Sequence, residues 1–206
     1  MVSILDGMRF AGDELVALLV AISFAAGLNL YATVATLGLL AHAGVLSLPP
    51  ALHLLANWYV IAASGVLFVI EFFADKIPAF DLIWNALHTF IRVPVAGLLA
   101  YQATSQLSPE RQLLATLLGA AVALAAHGGK TAARAVVTPS PEPVSNISLS
   151  LGEDVVAIGL TWLATRHPYV AGTLALIFVL IIALLIRMVI RAMRALFRGA
   201  RQELAS

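Results

Sequence analysis

Apolar residues run through this chain in long blocks, interrupted by short clusters of proline and charge. A helix needs roughly 17–25 residues to cross a hydrocarbon layer, and six stretches reach that length: 14–42, 54–74, 80–104, 111–137, 145–165 and 169–192. Prolines mark the joints: Pro49 and Pro50, Pro78, Pro109, the trio Pro139, Pro141 and Pro143, and Pro168 each stand ahead of a block. Proline lacks the amide that a first helical turn would leave unpaired, so it suits those positions. Two blocks depart from the pattern. The third carries Asp81, His88 and Arg92 with Pro94 inside it. The fifth carries Glu153 and Asp154 near its centre, after Ser145 and Asn146, either of which can cap the helix. Such segments either cross while sheltered by neighbours or re-enter as half-helices lining a cavity. The pattern predicts an all-α fold, a polytopic transmembrane helix bundle of about six segments, in a single membrane domain over 1–206.

Six segments divide into two sets of three, 14–104 and 111–192, and an odd number per set forces the second copy into the opposite orientation. The runs Ala26-Gly27-Leu28-Asn29 and His127-Gly128-Gly129-Lys130 would then be matching breaks, and Pro49-Pro50 would match Pro141-Glu142-Pro143. Two inverted three-helix repeats with broken or re-entrant helices are the expected arrangement. The last block continues into Arg187, Arg191, Arg194, Arg198 and Arg201, spaced by four, three, four and three, so the guanidiniums stack along one helical face. This basic tail, 187–206, is expected on the cytoplasmic side, and with six crossings so is the N-terminus with Arg9. Glu110, Arg111 and Arg166 then fall on the outside, against the trend. The first residues lack a clean basic leader before their apolar run and carry Asp6, Asp13 and Glu14, so no cleaved signal peptide is expected.

Composition agrees with the pattern. Of 206 residues, 61% are hydrophobic and 11% charged, against about 45–50% and about 25% in a soluble domain. Mean hydropathy is +0.97. The expected location is a plasma or inner membrane. A formal charge of +1 offers nothing to a nucleic-acid backbone. With no cysteine there is no disulfide, thiolate nucleophile or Cys-type zinc site, and any metal would need His, carboxylates or carbonyls.

Against that background the interior charges carry the chemistry, since a charge at the bilayer centre costs about 2.5–3.5 kcal/mol on insertion scales and is kept only with partners or a role. Glu71 and Asp75 lie four apart in EFFADKIP, either a cation or proton site or an interfacial cluster in which Lys76 neutralises Asp75. Asp81, Asn85, His88 and Arg92 form one stripe at i, i+4, i+7 and i+11. It faces a protein interior if the segment spans, or headgroups if the helix lies flat beside Trp84. If it spans, Pro94 frees a carbonyl one turn earlier as a potential ligand. His127, Lys130 and Arg134 share a face, with Arg134 placed to snorkel to the interface. Ala115, Gly119 and Ala123 continue a small-residue seam suited to close helix contact. Glu153 and Asp154 point about 100° apart, and the expected partners are Arg92 for one and Lys130 for the other. A solvated loop is the alternative for these acids.

The runs GLNLYATVATLGLL, VIEFFADKIPAFDLIWNALHTFIRVPVAGLLA, AAHGGKTAAR and SPEPVSNISLSLGEDV together resemble the DUF4126 membrane family from about residue 15 to 190. The resemblance implies an integral membrane protein with these polar runs as its signature, and supplies no activity.

Three functions remain. The first is a small transporter or channel moving a proton, cation or small charged solute past Asn29, Glu71, Asp75, Asp81, His88, Arg92, His127, Lys130, Glu153 and Asp154. The acids are in slight excess, which suits a proton or cation, though paired arginines also hold anions. The second is a non-catalytic scaffold or assembly protein. The third is a lipid-directed membrane enzyme, against which stands the lack of a nucleophile elbow, HExxH or phosphate loop. Expected partners are the bilayer, anionic lipid at the tail arginines and a small ion or solute, without nucleic acid. Self-association is left open.

Overall fold

The computed structural model describes residues 12–137 and 143–203. Among them the chain is helical: α1 (Gly12–Leu28), α2 (Leu30–His42), a 3-10 segment (Pro50–Ala56), α3 (Trp58–Ala74), α4 (Pro78–Ala103), α5 (Pro109–Val137), α6 (Pro143–Arg166) and α7 (Pro168–Glu203). Four of these helices carry an apolar stretch long enough to cross a membrane: Ile83–Ala103, Pro109–Arg134, Ile147–Arg166 and Pro168–Arg191. A fifth arises if the 3-10 segment and α3, which meet at a bend of 62°, act together. Prolines open α4, α5, α6 and α7. Helix α6 therefore begins at Pro143, ahead of the expected caps Ser145 and Asn146, whose side chains lie outside the described residues along with Glu142.

Helix α1 is the centre of the bundle. From residue 19 through Leu30 every position is buried, and α1 packs against α4, α5, α6 and α7. Small residues permit this. A Cβ on Gly27 would lie 2.5 Å from the Ala123 carbonyl and 2.8 Å from the Ala126 methyl, and one on Gly119 would lie 2.8 Å from Ala100 Cβ and 2.9 Å from Ser23 Oγ. Gly172 meets Ala17 in the same way. The expected seam through Gly119 and Ala123 is thus a helix contact. Of the paired glycines on α5, Gly129 packs on Ile182 of α7, whereas nothing lies within 4 Å of a Cβ at Gly128.

Those contacts fix directions. Ser23 with Gly119 and Gly27 with Ala123 make α1 and α5 parallel; Ala17 with Gly172 and Phe24 stacked on Phe178 at 5.6 Å make α1 and α7 parallel. Ala100 with Gly119 and Thr89 with His127 make α4 antiparallel to α5. Glu71 with Lys130 and Asp75 with Arg134 give α3 the direction of α5. Helix α2 is antiparallel to α3, because Gly38 meets Ile61 and His42 meets Trp58 and the Ala56 carbonyl. So α1 enters the bundle from one end, stops at Asn29, and α2 turns back toward that end.

One sequence expectation changes here. The block 14–42 is two helices instead of one, because Asn29 adopts an extended backbone (φ −146°, ψ 103°). Of the two helices in that block, α1 runs parallel to α5 and α2 antiparallel to it. At the start of α1 the Tyr169 hydroxyl donates to Asp13 Oδ2 at 2.6 Å. The start of α1 thus sits beside the start of α7, about 27 Å along that helix from Arg187. Arg187, Arg191 and Arg194 are exposed; the side chains of Arg198 and Arg201 lie outside the described residues. Along the apolar part of α7 almost nothing is buried, as a lipid-facing helix requires.

Candidate functional site

The break at Asn29 organises the buried polar groups. In a continuous helix the Leu28 carbonyl would accept from Ala32 N; instead the Asn29 side-chain oxygen accepts that amide at 2.9 Å and caps α2. The released Leu28 carbonyl accepts from Arg92 Nη1 at 3.0 Å and Lys130 Nζ at 3.3 Å. The Asn29 amide, at the start of α2, donates to Asp154 Oδ1 at 2.8 Å. The negative end of one half-helix meets two cations, and the positive end of the other meets an acid, the pairing that helix dipoles favour.

Around the break the i, i+4 and i, i+3 spacings deliver the rest. Helix α3 presents Glu71 and Asp75, α4 presents Asn85, His88 and Arg92, α5 presents His127, Lys130 and Arg134, and α6 presents Glu153 and Asp154. All of these are buried, Arg92 and Glu71 completely. Arg92 pairs with Glu71. Lys130 Nζ lies 3.4 Å from Glu71, 3.0 Å from Asp75 and 3.3 Å from Glu153. Arg134 Nη2 lies 2.9 Å from Asp75 and 2.6 Å from Glu153, and its Nη1 donates to the Asp75 carbonyl at 3.0 Å.

Hydrogen bonds assign the tautomer of His127. Its Nδ1 faces Arg92 Nη1 at 3.1 Å, and a guanidinium only donates, so Nδ1 accepts. Its Nε2, 3.1 Å from the Asn85 carbonyl and 2.8 Å from Thr89 Oγ1, carries the proton. His127 is neutral in this arrangement. His88 donates from Nδ1 to the Trp84 carbonyl at 2.8 Å and meets the Tyr31 hydroxyl through Nε2 at 3.0 Å.

Four carboxylates, Glu71, Asp75, Glu153 and Asp154, therefore face three cations, Arg92, Lys130 and Arg134, leaving one negative charge over among the described buried groups. Each acid also keeps one buried oxygen without a hydrogen-bond partner among the described residues: Glu71 Oε2, Asp75 Oδ1, Glu153 Oε1 and Asp154 Oδ2. Asp154 differs from the others, because its one described protein partner is an amide and no cation lies in ion-pair range. Lys76 is half-buried at the margin, donating to the Phe72 carbonyl at 2.7 Å with Nζ 3.0 Å from that ring's centroid. No group of three or more His, Asp or Glu arranged to hold a metal occurs among the described residues.

The site differs from the expectation in its pairing. Arg92 takes Glu71, not an acid of α6; Glu153 does meet Lys130, but Asp154 takes Asn29. Arg134 is buried between two acids instead of snorkelling, and Asp75 is neutralised from α5, not by Lys76. Helix α4 does not lie flat, since its stripe faces the interior. Pro94 and Phe90 are on the outward face opposite Arg92, so the carbonyl that Pro94 releases is no ligand. The side chain of Asp81 lies outside the described residues. Tyr31, Thr89, Ser150 and the Leu28 carbonyl were not anticipated; Thr89 continues the α4 stripe four residues after Asn85, a signal the sequence did contain.

No curated protein and no solved structure matches this chain. A family model described as "Domain of unknown function (DUF4126)" matches residues 16–188. That span takes in α1 from its second turn, the Asn29 break, every buried acid and base of the cluster, and α7 as far as Arg187, and the chain belongs to the DUF4126 family.

Proposed function

We propose that this protein moves a proton or small monovalent cation across the membrane, and that the exchange centres on Asp154 at the junction of α1 and α2. The observation that carries the reading is Asp154 itself: a buried acid held by an amide, beside a broken helix, in a cluster with one negative charge in excess. An anion without an ion-pair partner at that depth is costly, and a proton or a monovalent cation lowers the cost. Discontinuous helices whose ends face charged groups are the usual construction of transport sites.

By the positive-inside rule the exposed arginines of α7 favour a cytoplasmic position for that end, with the start of α1 outside. In that topology α1 and α2 re-enter from outside, α3 through α7 cross, and the arginines gain about 1 kcal/mol each from anionic lipid. Reconstitution tests the function. Purified protein in liposomes should dissipate an imposed proton, sodium or potassium gradient, and Asp154→Asn should lose that flux while retaining its elution profile. Folded wild-type protein with no flux for any of these ions removes the proposal. A scaffold is the second reading, favoured by the multiple acceptors around Arg92, Lys130 and Arg134; it predicts that Asp154→Asn loses folding in proportion to any activity.

A further inference from the structure

Ser150 lies outside the ion-pair network, yet its side chain is completely buried and its hydroxyl oxygen has no hydrogen-bond partner among the described residues. A serine in mid-helix ordinarily turns its hydroxyl back to the carbonyl four residues earlier, as Thr161 does at 2.6 Å on the same helix. Ser150 stands four residues before Asp154, so the two side chains are stacked on one face of α6. That face is turned to the break, because Asp154 Oδ1 is bonded to Asn29. The second Asp154 oxygen, Oδ2, is buried and equally without a partner. Two hard oxygens of one helical face, one anionic and one neutral, thus lie together where the cluster carries its surplus negative charge.

We infer that Ser150 Oγ and Asp154 Oδ2 are ligands of a monovalent cation site, with sodium as the fitting probe. This rests on the transport reading and sharpens it by naming the ion class and a residue outside the charged network. Oxygen donors of this kind suit alkali cations. A divalent ion would ask for more carboxylates than one, and no suitable group of three His, Asp or Glu exists among the described residues. A proton on Asp154 Oδ2 would give the Ser150 oxygen a donor, and sodium-22 binding separates that case from a bound cation. The charged groups facing the site from neighbouring helices are Glu71 and Asp75 on α3, Arg92 on α4, Lys130 and Arg134 on α5 and Glu153 on α6, with Lys76 at the margin. Without Lys76 these six groups sum to zero, so the one negative charge left is that of Asp154 itself, which one sodium ion neutralises.

The test is saturable binding of radioactive sodium-22 to the purified full chain, alongside flux in liposomes of phosphatidylcholine and phosphatidylglycerol. Wild type should bind sodium-22, Ser150→Ala should weaken binding by about tenfold or more, Ser150→Thr should restore it, and Asp154→Asn should abolish it. No saturable sodium-22 binding by wild type, or unchanged affinity in Ser150→Ala, overturns the inference. The two proposals separate cleanly: proton flux without sodium binding removes the sodium site and leaves transport standing. Sodium binding that responds to Ser150, in a protein that moves no ion, removes transport and keeps the site.

Discussion

Arg92 and Glu71 are both fully buried, and their pairing links α4 to α3. Removing one partner of such a pair costs about 3–5 kcal/mol, because the other charge is stranded in a medium that cannot solvate it. The surroundings predict an asymmetry within that range. Arg92→Met leaves Glu71 with Lys130 at 3.4 Å and the Leu28 carbonyl with Lys130 at 3.3 Å, so its cost should be about 3 kcal/mol. Glu71→Leu leaves the guanidinium with only the Leu28 carbonyl and His127 Nδ1, neither of them charged, and should cost about 5 kcal/mol. The double variant strands neither charge, so the cycle should return a favourable coupling of about 2–3 kcal/mol. Reversible unfolding in mixed micelles on titration with dodecyl sulfate gives these values. The signal comes from tryptophan fluorescence, with Trp84 stacked on His88 at 4.3 Å as a local reporter. Single effects that add to within about 0.5 kcal/mol in the double variant would refute the claim that this is a desolvated pair.

Four further outcomes follow from the same geometry. Gly27→Ala should lower the melting temperature in detergent through about 1–3 kcal/mol of overpacking, because its Cβ meets the Ala123 backbone at 2.5 Å. Gly128→Ala, with nothing within 4 Å of a Cβ, should be neutral or stabilising by up to about 1 kcal/mol, and destabilisation there would show that the helix packing is misread. Asn29→Ala should cost about 1–2 kcal/mol through loss of the α2 cap, and should also reduce flux by removing the Asp154 partner; an unchanged flux would detach Asn29 from the site. In this naturally cysteine-free chain, Asp13→Cys and Met188→Cys should react with a membrane-impermeant maleimide from opposite sides of the bilayer, and labelling of both from one side contradicts the re-entrant topology.

The sequence exposed the participants more readily than their arrangement. The stripes Glu71–Asp75, Asn85–His88–Arg92 and His127–Lys130–Arg134 follow from helical spacing, and all described members do point inward. Spacing within a helix says nothing about which stripe faces which, so the acid that reaches Arg92 could not be read from it. The break at Asn29 is marked by the small-residue run Ala26-Gly27-Leu28-Asn29 and not by hydropathy, because a single capping side chain barely lowers an average. A block of that length taken as one crossing also sets the parity of the whole chain, and from that parity a shared side for both ends is expected.

The break also accounts for features that look unrelated. Burying three cations and four acids among apolar helices needs neutral dipoles as well as countercharges, since side chains alone leave lone pairs and amide hydrogens unpaired. A continuous helix spends its carbonyls internally and has none to lend. Interrupting α1 at Asn29 releases the Leu28 carbonyl toward Arg92 and Lys130, while the Asn29 side chain replaces the lost bond to Ala32 and reaches Asp154. One residue therefore serves both signs of charge. Holding it in place requires close backbone approach, which Gly27 provides against Ala123 two residues earlier. If the break were only a packing accident, Gly27→Ala and Asn29→Ala would act independently. Displacing α1 from α5 should instead disturb the Leu28 carbonyl and the Asn29–Asp154 bond together, so their combined effect on stability should fall short of the two taken separately, and strict additivity would separate the break from the cluster.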